Sequence, residues 1–189
     1  AAQFAAVHAA EKPAAKKLTL LIIGTAFPGQ HVAEAARSRG HTVTLVNRVT
    51  RGTAQKLKDE HNTDIGATEG QKWDGVIDLS AHVPADVARM PEAVVAGAGN
   101  YLLLSTTGVY AKLDKPGIDE TAPVATTDNP DVLRAKDNDA TALKALCEKA
   151  AENAMPGRVC VIRSGLIVGP GDPSGRFTYW PVRVARGGD

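Results

Sequence analysis

Short apolar runs alternate with helical segments along this chain, and that alternation constrains the fold more than any other feature. The sequence predicts strands at 18–23, 41–47, 75–79, 100–105 and 158–163, and helices at 32–37, 53–60, 85–96 and 139–152. A strand that is apolar along its whole length is typical of a parallel sheet with both faces covered. We therefore expect an α/β fold with a doubly wound parallel sheet.

Composition excludes several classes of function. The 189 residues include 22 Lys and Arg against 21 Asp and Glu, which leaves a net charge of +1. Such a balance offers no electrostatic footprint for nucleic acid or for an anionic membrane surface. No apolar run approaches the roughly 20 residues that a membrane-spanning helix needs. We expect no nucleic-acid partner and no membrane span.

Neither cysteine indicates a metal site. Cys147 falls on a predicted helix and Cys160 on a predicted strand, with no spacing of the kind that metal ligands use. We expect two reduced thiols in the core and no bound metal. Residues 1–17 are rich in Ala and Lys, begin without Met, and are predicted to be a disordered or trimmed leader. Location in the cytoplasm is expected, with export after removal of a signal peptide as the alternative.

The turn between the first strand and the first helix carries Gly24, Thr25, Phe27 and Gly29. Dinucleotide-binding turns place glycines here so that backbone N–H groups and the helix N-terminus can approach a pyrophosphate. The spacing is compatible with phosphate binding and also with a plain strand–helix turn. Both interpretations stay open.

Two further loops follow strands whose carboxyl ends would meet at the same sheet edge. Asn47 and Arg48 end the second strand, where a basic residue accommodates a 2′-phosphate and favours NADP over NAD. The alternative is a solvated arginine. Asp78 and Ser80 end the strand at 75–79, and His82 follows them as a residue that could contact substrate or simply face solvent.

Three segments together resemble the extended or atypical short-chain dehydrogenase/reductases, specifically the NAD-dependent epimerase/dehydratase group. They are 105–110, Trp73–Asp78 and 163–181. The resemblance covers about Leu18 to Asp189 and implies a Rossmann domain at 18–175. Residues 176–189 would begin a substrate-binding lobe, most of which lies beyond this sequence.

The resemblance also assigns roles to residues. Thr106 would orient the substrate oxygen, and Lys144 would bind the nicotinamide ribose. Ser105 and Arg163 would be further cofactor contacts. Family members carry the proton-transferring tyrosine four residues before the lysine, where this chain has Ala140. The chain also departs from the family pattern at three other functional positions: Ile23, Ala26 and Ser164.

Two functions from different classes follow. The first is an NAD(P)-dependent epimerase, dehydratase or reductase acting on a sugar nucleotide or a similar hydroxy/keto substrate, with a degenerate active site. Its cofactor would be NADP or NAD. The alternative is a non-catalytic Rossmann-fold subunit that serves in a larger assembly, as a homo-oligomer or with a protein partner.

Overall fold

A computed structural model describes residues 16–47, 63–64, 70–88, 90, 92–128 and 140–187. Three sequence predictions fall outside these residues: the helix at 53–60, most of the leader, and Arg48. No helix among the described residues is long and apolar enough to cross a bilayer. The same residues hold no group of three or more His, Cys, Asp or Glu side chains that could bind a metal ion.

In the described part of the chain, six parallel strands form one sheet. They are β1 (Thr19–Ile23), β2 (Thr42–Asn47), β3 (Thr63–Asp64), β4 (Trp73–Asp78), β5 (Ala98–Thr106) and β6 (Val159–Ser164). Their order is β3-β2-β1-β4-β5-β6, and each neighbouring pair runs parallel. The order reverses between β1 and β4, which is where doubly wound sheets open a crevice for ligands. The predicted fold class is confirmed.

The helices are α1 (Gly29–Ser38), α2 (Pro84–Ala88), α3 (Glu92–Gly97), α4 (Ala140–Ala154) and α5 (Arg176–Arg186). The prediction of one helix at 85–96 is wrong, because α2 and α3 are separate. The sequence supplies the reason: Pro91 has no backbone N–H to continue a helix from the preceding turn. α5 was not predicted, since Pro181 within it is unfavourable in a helix interior. Yet Phe177, Trp180 and Val184 recur at helical spacing.

The core lies on both faces of the sheet. Leu21 and Ile23 of β1 belong to one buried cluster, whereas Ile22 between them packs with Ala33 and Leu45 in another. Successive side chains of a strand point to opposite faces, so this division shows that both faces are covered. Cys147 is buried in the larger cluster as expected, but Cys160 is exposed, which corrects the prediction of two core thiols.

One buried polar contact joins β4 to β5. The Tyr101 hydroxyl donates to Asp78 Oδ2 at 2.6 Å, and both residues are 0% exposed. The other carboxylate oxygen accepts the backbone N–H of Ser80 at 3.0 Å. A buried carboxylate is costly unless hydrogen bonds replace its water. These bonds therefore fix the end of β4 and the start of the loop that follows it.

Removal of the Tyr101 hydroxyl should destabilise the fold. We expect Tyr101→Phe to lower the free energy of unfolding by about 1.5–3 kcal/mol, because a buried carboxylate loses a donor. The measurement is urea denaturation at neutral pH. Tyr179→Phe is the matched control, since Tyr179 is exposed on α5 and should change stability by less than about 0.5 kcal/mol. Equal stability of the two variants would contradict the assignment.

Candidate active site

Two glycines allow close packing around the turn after β1: Gly24 against the loop after β4, and Gly29 at the start of α1 against the turn itself. Gly24 has φ +119°, and a Cβ there would meet the Cβ atoms of Leu79 and Ser80 at 3.3 Å. A Cβ on Gly29 would overlap the carbonyl oxygen of Gly24. Only glycine fits at either position without moving the backbone. The helix N-terminus consequently sits directly at the end of β1.

The N-terminus of α1 is suited to an anion. No side chain caps it, and its first turn contains no acidic residue. The N–H groups of a first helical turn lack intrahelical partners, and the helix dipole adds partial positive charge there. The side chain of Ala26, which stands at a glycine position of the family pattern, is exposed rather than packed into the turn. The residues present therefore fit a pyrophosphate.

A cavity of about 360 Å³ opens beside this turn, at the carboxyl ends of β1 and β4, where the strand order reverses. Five of the predicted cofactor contacts line it: Gly24, Thr25, Phe27, Asn47 and Ser80. Gly29 and Asp78 are buried behind the lining rather than part of it. Asp78 therefore affects this cavity through Ser80. Its carboxylate accepts hydrogen bonds from the backbone N–H and the hydroxyl of Ser80.

A second cavity, of about 620 Å³, lies over the carboxyl ends of β5 and β6. The predicted catalytic residues Thr106 and Lys144 both line it, together with Ser105. The segment after β6 forms its far wall and returns to α1, where His31 Nε2 donates to the Pro170 carbonyl at 2.6 Å. The two cavities adjoin, because four residues line both of them: Phe27, Pro28, Leu79 and His82.

Lys144 fastens the loop after β4 to α4. Its Nζ donates to the Ala81 carbonyl at 2.5 Å. Burial lowers the pKa of the Lys144 ammonium, and the nearby Cys147, the carboxylate Asp78 and other acidic groups oppose this shift. The lysine therefore holds loop backbone in addition to lining the cavity.

Glu148, one turn after Lys144, was not singled out from the sequence. It accepts a hydrogen bond from the Ser105 hydroxyl at 2.5 Å and forms an ion pair of 2.8 Å with Arg163. The hydrogen bond to Glu148 raises the pKa of the Arg163 guanidinium further above its usual range. A carboxylate four residues after a functional lysine shares its helix face, and that spacing was the available signal.

The structure places Arg163 in β6 beside Ser105, its register partner in β5. Its guanidinium lies 4.8 Å from the centroid of the Tyr110 ring and is held by Glu148, and the residue lines neither cavity. Ala140 lines neither cavity as well, and is the exposed first residue of α4, one turn before Lys144. Asp172 and Arg176, which were not predicted as site residues, line the larger cavity from the segment after β6.

Comparison with known proteins gives structural matches alone. No protein-family profile matches the sequence, and no curated protein sequence matches it either. The nucleoside-diphosphate sugar epimerase of Corynebacterium glutamicum superposes with a TM-score of 0.60 at 17% identity, over 91% of this chain and 38% of that one. The fold is that of NAD-dependent epimerases and dehydratases. The predicted fold relationship is confirmed.

Two further structures support that statement. A candidate epimerase from Burkholderia cenocepacia J2315 has a TM-score of 0.59 at 18% identity, over 86% of this chain and 58% of its own. TunA, an NAD-dependent NDP-hexosamine 5,6-dehydratase of tunicamycin biosynthesis, has a TM-score of 0.52 at 19% identity, over 78% and 54% of the two chains. This chain therefore spans between 38% and 58% of the length of these three structures.

Burial of Lys144 should leave a signature in the pH dependence of stability. Its folded-state pKa lies below the ordinary 10.5, so the unfolded chain binds more protons between the two values. The free energy of unfolding of the wild type should therefore rise relative to that of Lys144→Met as pH increases through that window. Urea denaturation at pH 7 and pH 10 measures the difference.

Lys149→Met is the control, because Lys149 is exposed on the same helix and its loss removes the same charge. A wild-type advantage over Lys144→Met that shrinks with rising pH would show that the buried lysine is stabilised as a cation, contrary to this prediction.

Proposed function

We propose that the chain binds a nicotinamide dinucleotide and takes part in epimerase, dehydratase or reductase chemistry on a sugar nucleotide or a similar hydroxy/keto substrate. One observation carries the proposal. Thr106 and Lys144, far apart in sequence, line a cavity that adjoins the crevice at the glycine turn. A hydroxyl and a lysine beside a dinucleotide-type crevice are two of the groups that such chemistry uses.

The cofactor would lie along the crevice. Backbone N–H groups at Thr25 and at the start of α1 would meet its pyrophosphate, and Asn47 would face its adenine ribose. Arg48 follows Asn47 in sequence and favours a 2′-phosphate, so we propose NADP as the preferred form, with NAD as the alternative. When bound, the nicotinamide supplies hydride transfer.

The substrate would enter the larger cavity. Thr106 Oγ1 accepts the backbone N–H of Gly108 at 3.1 Å, which leaves the hydroxyl proton available to donate to a substrate oxygen. The nearby Lys144 ammonium adds positive charge that stabilises negative charge on the same oxygen. Residues 18–175 would form the cofactor domain, and residues 176–189 would begin the substrate-binding lobe.

Calorimetric titration with NADPH and NADH tests the proposal. We expect micromolar binding with NADPH preferred, and Arg48→Ala should weaken NADPH binding about tenfold or more while leaving NADH unchanged, because a charged hydrogen bond is lost. Arg51→Ala is the matched control from the same stretch of sequence and should alter neither affinity. No binding of either cofactor at millimolar concentration would contradict the proposed function.

A non-catalytic role in a larger assembly is the second candidate. The exposed apolar residues of α5 favour it, since Phe177 is 55%, Trp180 66% and Val184 76% exposed. An apolar face of this kind is typical of a surface that another chain or segment covers. Light scattering together with the calorimetry separates the candidates: assembly without cofactor binding would support this role, whereas cofactor binding by a monomer would exclude it.

A further inference from the structure

We propose that His82 is the residue that transfers the substrate proton, in place of the tyrosine that is absent at Ala140. The inference rests on the proposed function and names the acid–base group of that same site. It follows from where the loop between β4 and α2 places His82, from how that loop is held, and from the chemistry of the other ionisable groups in the cavity.

His82 stands at the junction of the two cavities. It lines the crevice beside the glycine turn and also lines the larger cavity that contains Thr106 and Lys144. A group that exchanges a proton with the substrate oxygen must sit where the cofactor's reactive end meets the substrate. Among the described residues that line both cavities, His82 is the only one with an ionisable side chain.

The loop that carries His82 is fixed on both sides. The backbone N–H of His82 donates to Asp86 Oδ2 at 2.8 Å, and that of Val83 donates to the same oxygen at 3.1 Å. On the other side, the Ala81 carbonyl accepts a hydrogen bond from Lys144 Nζ. The backbone of His82 is therefore held in place, while His82 itself remains exposed in the crevice. In this arrangement Lys144 positions the histidine through the adjoining peptide.

The other ionisable residues described in the larger cavity are less suited to the task. Hydrogen bonds from Ser174 hold the pKa of Asp172 below its ordinary value, so its carboxylate has no proton to give at neutral pH. Arg176 stays protonated and cannot accept a proton. The Lys144 ammonium is engaged with Ala81. An imidazole can both accept and return a proton near neutral pH.

The step balances in the following way. In the oxidative direction, a substrate secondary alcohol gives its hydroxyl proton to a neutral ring nitrogen of His82. The hydrogen on the same carbon leaves with its electron pair to the oxidised nicotinamide, and the C–O bond becomes C=O. The alcohol is oxidised and the nicotinamide is reduced. In the return direction, the His82 imidazolium gives its proton back to the carbonyl oxygen, while Thr106 orients that oxygen throughout.

Turnover with a rescue provides the first test. The probes are UDP-N-acetylglucosamine and NADP⁺, with conversion of the sugar nucleotide followed by chromatography, because epimerase and dehydratase chemistry returns the hydride and leaves no net NADPH. We expect His82→Asn to lower kcat about 10²–10⁴-fold while the affinity for NADP⁺ changes less than about threefold. In the His82→Asn background, Ala140→Tyr should restore at least about tenfold, because it supplies a phenol one turn before Lys144. Ala140→Phe should restore nothing.

His41→Asn is the matched control. His41 precedes β2 at the amino ends of the strands, opposite the crevice, and its Nδ1 accepts the backbone N–H of Leu18. This variant should keep kcat within about twofold of wild type. Full turnover in His82→Asn, or equal rescue by Ala140→Phe and Ala140→Tyr, would overturn the proposal.

Nuclear magnetic resonance of labelled histidine supplies a readout independent of turnover. The His82 resonance is assigned by its loss in His82→Asn, and its titration midpoint is measured with saturating NADP⁺ and with NADPH. The positive nicotinamide of NADP⁺ disfavours a neighbouring imidazolium, so the midpoint should be lower with NADP⁺ than with NADPH. The charged groups that also face this loop are Asp86 from α2, Lys144 from α4, and Asp172 and Arg176 from the segment after β6. They are the same in both titrations.

The two proposals fail in different ways. Absence of binding by NADP⁺ and NADPH would reject the proposed function, and the role of His82 with it. Binding of both cofactors with identical His82 midpoints would reject the role of His82 alone. A lower midpoint with NADP⁺ supports the role even where the chosen sugar nucleotide is not turned over.

Discussion

The close contact between Gly29 and the Gly24 carbonyl oxygen sets how near α1 lies to the sheet, and the crevice depends on that distance. A Cβ on Gly29 would overlap that oxygen and force α1 away from the end of β1, whereas a Cβ on Gly24 would press against Leu79 and Ser80 in the loop after β4. The uncapped N-terminus of α1 would then no longer face the crevice at the carboxyl ends of β1 and β4. Parallel pairing of these two strands supplies the rest of the geometry, since it brings their carboxyl ends to one edge.

α4 joins the second half of the site to the same edge. Lys144 holds the loop after β4, and Glu148, one turn later, holds Ser105 at the end of β5 and Arg163 in β6. One helix, α4, thus holds the loop after β4 and the ends of two strands in place. Several of these polar groups hold backbone or side chains in place and also line the cavity. A residue that is predicted to be catalytic from its spacing can therefore be equally important for positioning its neighbours.

Much of the fold could be predicted from local patterns, and the failures have physical causes. Five of the six strands were recognisable from their apolar runs, which suit a sheet covered on both faces, whereas β3 has no such run and was not predicted. The division into α2 and α3 and the helical state of α5 were missed. A proline can end a helix or be accommodated within one, and the sequence alone does not show which of the two happens. Glu148 was missed because a charged residue on a helix is expected to face solvent unless its partner, here Arg163 in β6, is known.

The sequence by itself determined the α/β class, the glycine turn and the residue types available for chemistry, because these depend on spacing along the chain. Only the tertiary structure decided which of those residues meet. It brought Thr106, Lys144 and His82 to one cavity, and it paired Arg163 with Glu148. Contacts between residues far apart in sequence depend on strand order and register, and a parallel sheet fixes both through crossovers that leave no local signal in the chain.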